Sequence, residues 1–281
     1  MIGPGCPPFL VRLWISERRA GPYPGLAMPI LVDPPMWPFR GRLFSHLASD
    51  TSIAELHDFA VRAGLHPRSY DGDHYDVPAE RYDEVVAAGA LPVSNRELLA
   101  AVRAAGLRFR KRRGERPVAS IPDGLPFLRE PHVAEMLTSP FDPPADSTFA
   151  AVTFVTDSGD RLLLVGSPKR GGWEAPGGWR EPGESAREAA VREVAEETGV
   201  RLDAGSLVPF GYERIRFAAP PAHPRLSQTC HVAVFTARVD ALGVDGIGPE
   251  GQPIVWADAQ AVADRCATAP WYPLLDRHLH P

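Results

Sequence analysis

The chain has 281 residues, 44% of them hydrophobic and 23% charged, with 30 basic against 35 acidic side chains and a net charge of −5. That length holds one large domain or two ordinary ones, either with a sizeable core. The balance excludes wholesale disorder and a polycation built to coat nucleic acid, and no run approaches the roughly 18 apolar residues of a membrane span. Cys6, Cys230 and Cys266 are too few and too scattered for a disulfide framework or a zinc site, so a reducing, cytoplasmic setting is expected.

Residues 1–27 mix Pro4, Pro7, Pro8, Pro22 and Pro24 with four glycines, and their apolar run from Phe9 is broken by Arg12. They read as a flexible extension, not a signal peptide. Residues 28–113 read as a small α/β domain. Ile30–Val32 suits a short buried strand. Ile53, Leu56, Phe59 and Ala60 have helical spacing, with Asp50, Thr51 or Ser52 as caps and Gly64 as the stop. Further helices are expected over 79–88 and 95–105, the second opened by a Ser94/Glu97 capping box, with a short strand at Pro92-Val93 between them. The basic run 108–116 suits a solvated linker, or a patch for phosphates.

Residues 114–147, with seven prolines, read as a connector, part of which packs through Phe127, Leu128, Val133, Met136 and Leu137. From 148 the pattern turns β-rich. Phe149–Thr156 and Arg161–Val165 flank Asp157-Ser158-Gly159-Asp160, a hairpin signal. A helix over 185–198 follows, then strands near 207–217, 229–239 and 253–256, and short closing helices.

The most informative stretch runs from Gly178 to Val200. Ser185 and Glu188 form a capping box, and Gly199 sits where a left-handed C-terminal residue belongs. At 100° per residue, Glu193, Glu196 and Glu197 fall within an arc of about 100°, opposite Val191, Val194, Ala195 and Thr198. Like charges at these spacings cost about 0.2–0.5 kcal/mol per pair. A hard divalent cation reverses that sign, since clustered carboxylate oxygens are its preferred ligands. Spacing alone is equally compatible with a solvated acidic face.

These residues resemble the Nudix box: Gly178, five residues, Glu184, seven residues, then Arg192-Glu193-Val194-X-Glu196-Glu197-X-Gly199-Val200. The resemblance implies an α/β fold, a Nudix α/β/α sandwich with a mixed sheet over 148–281, preceded by the small α/β domain. It implies that Glu193, Glu196, Glu197 and the Gly178 carbonyl hold Mg²⁺ or Mn²⁺, and that Glu184 orients Arg192. Glu250-Gly251-Gln252-Pro253 is similar to a tetrapeptide of MutT-type pyrophosphohydrolases, which makes Glu250 a further ligand or general base. The implied reaction is hydrolysis of a nucleoside diphosphate linked to another moiety, with Glu193 or Glu250 taking the proton from water. Lys169 and Arg170 are candidates for phosphate binding or for a solvated loop tip.

MutT-type enzymes read the purine with an asparagine in a proline-rich turn. Here that turn is Ala269-Pro270-Trp271-Tyr272-Pro273, and Trp271 offers a stacking surface instead. The implied partner is a nucleotide-type small molecule, without membrane or nucleic acid; a homodimer is allowed but not required. A nucleotide-sensing regulator built on the same fold is the alternative, and the complete glutamate set favours the enzyme. Residues 28–113 resemble a bacterial family of domains of unknown function found with Nudix domains, through segments such as His46-Leu47-Ala48-Ser49-Asp50 and Asp73-His74-Tyr75-Asp76. Asp33, His46, Asp50, His74 and Asp76 are there either to hold a metal or phosphate, or to cap and pack.

Overall fold

The computed structural model describes residues 30–167 and 171–280. The extension 1–27 and the two loop cations Lys169 and Arg170 lie outside the described residues.

The first sheet is built from β1 (Ile30–Val32), β2 (Trp37–Phe39), β3 (Arg42–Ser49), β4 (Tyr75–Pro78) and β5 (Leu91–Pro92), in the order β2-β3-β1-β5 with β4 also paired to β3. Three helices join them: α1 (Ile53–Arg62), α2 (Tyr82–Ala87) and α3 (Asn95–Ala104). β1 reads as an unbroken apolar run because both of its faces are covered. Ile30 and Val32 pack with Leu56, Phe59 and Val85, while Leu31 packs with Leu98 and Val102 on the other side. Ser52 caps α1 by accepting from the Glu55 amide, and Ser94 and Glu97 close the capping box of α3. The sequence reading missed β2, β3 and β4. β2 is three exposed residues, β3 buries Ser45 and Ser49 where apolar residues are expected, and β4 alternates over only four residues.

The second sheet has ten strands. They are β6 (Arg116–Pro122), β7 (His132–Thr138), β8 (Thr148–Thr156), β9 (Leu162–Ser167), β10 (Gly172–Glu174), β11 (Gly177–Trp179), β12 (Val208–Phe217), β13 (Thr229–Arg238), β14 (Gly246–Ile247) and β15 (Pro253–Ala257). Their order is β14-β15-β9-β8-β13-β12-β7-β6, with β10 on β9 and β11 on β8. β8 and β13 are parallel and the other pairs antiparallel. One face is covered by α4 (Ala186–Thr198) through Ala151, Ala189, Ala190, Ala233 and Phe235. The other is covered by α5 (Ala259–Cys266) and α6 (Tyr272–Leu279) through Val262, Leu274 and Leu275 against Phe154 and Leu164. This is the expected α/β/α sandwich.

Two expectations are corrected. Within 114–147, β6 and β7 are not a connector but the last two strands of the large sheet, with β7 hydrogen-bonded along β12 from Thr138 to His132. The prolines mislead because β6 is an edge strand, where a missing N–H is tolerated. The basic run 108–116 is solvated, its arginines and Lys111 all exposed, but it is no loose linker either. Arg108 and Lys111 pair with Asp73 and Asp71, Arg112 pairs with buried Glu115, and Phe109 packs on Leu137 and Tyr212. These contacts tie the small domain to the large sheet. Gly72, at φ +93°, lies where a side chain would strike Phe109 and Pro117.

Candidate active site

β8 and β9 pair only beside their turn, at Thr156 and Leu162. Beyond it β11 takes the edge of β8 and β10 that of β9. That divergence brings Gly177 and Gly178 against the acidic face of α4. Ser185 and Glu188 form the capping box at the helix start, and Gly199 ends the helix in the left-handed region at φ 76°.

Glycine is required at the junction. A Cβ on Gly178 would lie 2.5 Å from Glu193 Cδ, inside the carboxylate. The Gly177 N–H donates to Glu197 Oε2 at 2.9 Å. Arg192 makes a two-point pair with Glu184, Nε to Oε1 at 2.9 Å and Nη2 to Oε2 at 3.0 Å. The same guanidinium donates to the Trp179 carbonyl at 3.0 Å, to Glu193 Oε1 at 2.8 Å and to Glu196 Oε2 at 2.9 Å. Arg180 holds the intervening loop through the carbonyls of Glu184 and Thr148.

Electrostatics single out two of the acids. Burial, with the charges of Glu193, Glu250 and Glu174 added, pushes Glu197 up to about 7 despite the Gly177 N–H. Burial likewise raises Glu193; Arg192 opposes the shift, while Glu196 and Glu250 add to it. Glu184, by contrast, is held low by Arg192. Glu250 stands on the turn before β15, which is pressed on the end of α4: a side chain at Gly248 would collide with the Glu197 carbonyl. So Glu193 and Glu197 lie against Gly178 and Gly177, Arg192 holds Glu196 beside Glu193, and the charge of Glu250 is felt by both Glu193 and Glu197. Glu174 on β10 is an additional acid that no local spacing announces.

The fit to a hard divalent cation rests on this repulsion. One guanidinium faces Glu184, Glu193 and Glu196, and Glu197 remains destabilised as an anion. An all-oxygen donor set of this kind suits Mg²⁺ or Mn²⁺.

A cleft of about 560 Å³ opens from Gly177 and Gly178 across the face of the sheet opposite α4. Val152, Val232 and Val234 form its floor, and Phe127, Trp173, Trp179 and Trp271 stand around it. Trp271, expected as a stacking surface, is therefore in the cleft, and Arg265 contributes a cation there. Glu213 lies in the floor at 5% exposure, opposite Val232 on β13. Its carboxyl has no hydrogen-bond or ion-pair partner among the described residues, and burial alone raises it to about 7. Period two along β12 would have found it: Glu213 shares its face with Ile215 and Phe217, an acid in an apolar row.

The NUDIX domain family matches residues 146–276, and a family described as a protein of unknown function, DUF4031, matches residues 30–105. Among relatives, the uncharacterized Nudix hydrolase YvcI of Bacillus subtilis is 50% identical over 48 residues, 17% of this chain and 30% of its own. A second B. subtilis protein, whose name proposes an 8-oxo-dGTP diphosphatase, is 40% identical over 70 residues, 25% of this chain and 46% of its own. A MutT-like protein of Streptomyces ambofaciens is 28% identical over 134 residues, 48% of this chain and 78% of its own. The chain thus spans less than half the length of the first two relatives.

Proposed function

With residues 146–276 belonging to the NUDIX family and residues 30–105 to DUF4031, we propose that this chain is a metal-dependent Nudix hydrolase cleaving a nucleoside diphosphate linked to another moiety. One observation carries the reading: Glu193 and Glu197 lie against Gly178 and Gly177, the two glycines that line one end of an aromatic-walled cleft.

Glu193, Glu196, Glu197 and the Gly178 carbonyl are the residues that would hold Mg²⁺ or Mn²⁺. Such an ion, when bound, offsets charge on phosphate oxygens and acidifies the attacking water. Glu250 or Glu193 accepts that water's proton, as the P–O bond to the leaving phosphate breaks. Arg192 is committed to five acceptor atoms on four residues and acts by fixing Glu193 and Glu196, not by binding phosphate. Trp173 and Trp271 supply π-faces for a base, worth about 1–3 kcal/mol per stack. Glu213, protonated near neutrality, offers that base both a donor and an acceptor.

The test is a phosphate-release screen over nucleotide sugars, dinucleotides and damaged nucleoside triphosphates, with Mg²⁺ and with Mn²⁺. Turnover that EDTA abolishes supports the reading. Tight nucleotide binding without turnover of any substrate would replace it with the sensor alternative.

A further inference from the structure

In the first sheet, β3 and β4 pair so that His46 stands directly opposite Asp76. Directly opposed residues project to the same side with their Cβ atoms about 5 Å apart. His74 enters the same space from the residue before Tyr75, its ring 4.5 Å from that of His46. His74 Nε2 lies 3.5 Å from Asp76 Oδ1 and His46 Nε2 lies 3.9 Å from it, and the three atoms that could bind one ion are all within 4.8 Å of each other. Donors bound to one tetrahedral ion at about 2.1 Å sit about 3.4 Å apart. The cluster therefore needs only a small contraction.

The rings are aimed by a second layer of contacts. His46 Nδ1 lies 3.1 Å from Asp33 Oδ2, and His74 Nδ1 lies 2.6 Å from Asp73 Oδ1. Both of these acids are buried, at 0% and 2% exposure. Each is itself fixed. Asp33 accepts from Trp37 Nε1, Asn95 Nδ2 and the His46 amide, and Asp73 accepts from Arg108 and the Phe109 amide. A carboxylate on Nδ1 is the arrangement by which proteins orient metal-binding histidines, keeping Nε2 for the ion once its own proton is released. Here two histidines are set so, and both Nε2 atoms face one carboxylate. Asp76 stands at the rim, its side chain 44% exposed, so ions have access. Asp50, the other sequence candidate, is not part of the cluster and bonds Thr51 instead.

We propose that His46, His74 and Asp76 form a second metal site, for a borderline divalent ion of the Zn²⁺ class, with Asp33 and Asp73 as positioning residues. Mixed imidazole and carboxylate donors select that class over Mg²⁺, which keeps the two sites of this chain chemically distinct. Three protein donors leave a coordination position open, as in sites that act on a ligand and unlike closed four-donor structural sites. The proposal stands independently of the hydrolase reading.

The test uses the full chain stripped with EDTA and titrated with Zn²⁺ by calorimetry, then with Co²⁺ by visible absorption. One site should survive in Glu197→Gln and weaken at least a hundredfold in His46→Gln and in His74→Gln. Asp33→Asn should weaken it about 10–100-fold without removing a ligand. Should either histidine variant fail to fold, Asp76→Asn at the exposed rim reads the same loss. Zn²⁺ binding that is absent from the wild type, or unchanged in His46→Gln, His74→Gln and Asp76→Asn, overturns the proposal and leaves a histidine–aspartate ion-pair network.

Discussion

The backbone N–H of Gly177 reaches Glu197 Oε2 at 2.9 Å, fastening β11 to the acidic face of α4. Glu197→Gln keeps an acceptor for that bond and removes one charge from the crowd. The metal-free protein should lose no stability and gain on the order of 1–3 kcal/mol near pH 7, because burial first and the neighbouring acids second disfavour the Glu197 carboxylate. In Mg²⁺ the order reverses, because only the wild type gains the full binding energy of the ion. Turnover should fall by orders of magnitude. Paired melts with and without EDTA, beside an assay on any accepted substrate, decide it; near-normal turnover in the variant rules out the metal-site reading.

Gly178→Ala tests the same junction from the strand side. The added carbon falls inside the Glu193 carboxylate, so either β11 or Glu193 must move. A shift of about 1 Å in a reacting geometry costs on the order of a hundredfold in rate. The variant should stay folded, since an overpacked methyl costs about 1–3 kcal/mol, and should show a Mg²⁺-induced rise in melting temperature smaller than wild type. An unchanged rise would place the ion away from Gly178.

What could be read in advance follows from how contacts are spaced along the chain. Ser185, Glu188, Arg192, Glu193, Glu196, Glu197 and Gly199 act through one helix, so helical period and capping rules reach them. Asp33 and His46, or Glu213 and Val232, meet only through the pairing of strands, beyond the reach of any helical or turn spacing. No local rule reports that register. The prolines of β6 told the truth about an edge and hid the strand. The anchoring of the basic run is hidden because its partners, Asp71 and Asp73, lie some 35–40 positions away.

Asp157 secures the turn that sets β8 and β9 diverging. Its buried carboxylate accepts from the amides of Gly159, Arg161 and Gly243 and forms a two-point pair with the Arg161 guanidinium. Burial would raise it, but these donors hold it at about 2, below its ordinary 3.8. A lowered acid contributes stability that is present above pH 4 and lost as pH falls toward 2. Asp157→Asn should cost about 3 kcal/mol at pH 7 by leaving Arg161 and a buried amide short of an acceptor. The difference from wild type should shrink below pH 3. Melts across pH 2–7 measure it, and a constant difference would deny the carboxylate its role.

Glu213 carries the opposite sign. It lies in the cleft floor without a partner among the described residues, and burial raises it from an ordinary 4.5 to about 7. A raised acid favours the fold when protonated, so its contribution is complete below pH 4.5 and is lost as pH climbs through 7. The span corresponds to on the order of 3 kcal/mol. Glu213→Gln keeps the shape and cannot ionise, so it should be more stable than wild type at pH 8 and about equal at pH 4.5. Substrate binding separates this from a purely structural acid. If the protonated carboxyl hydrogen-bonds a base, wild-type KM should rise above pH 7 while the KM of Glu213→Gln stays flat. Measuring KM for matched adenine and guanine substrates from pH 6 to pH 8.5 tests both halves, and identical pH profiles in the two proteins would remove Glu213 from substrate recognition.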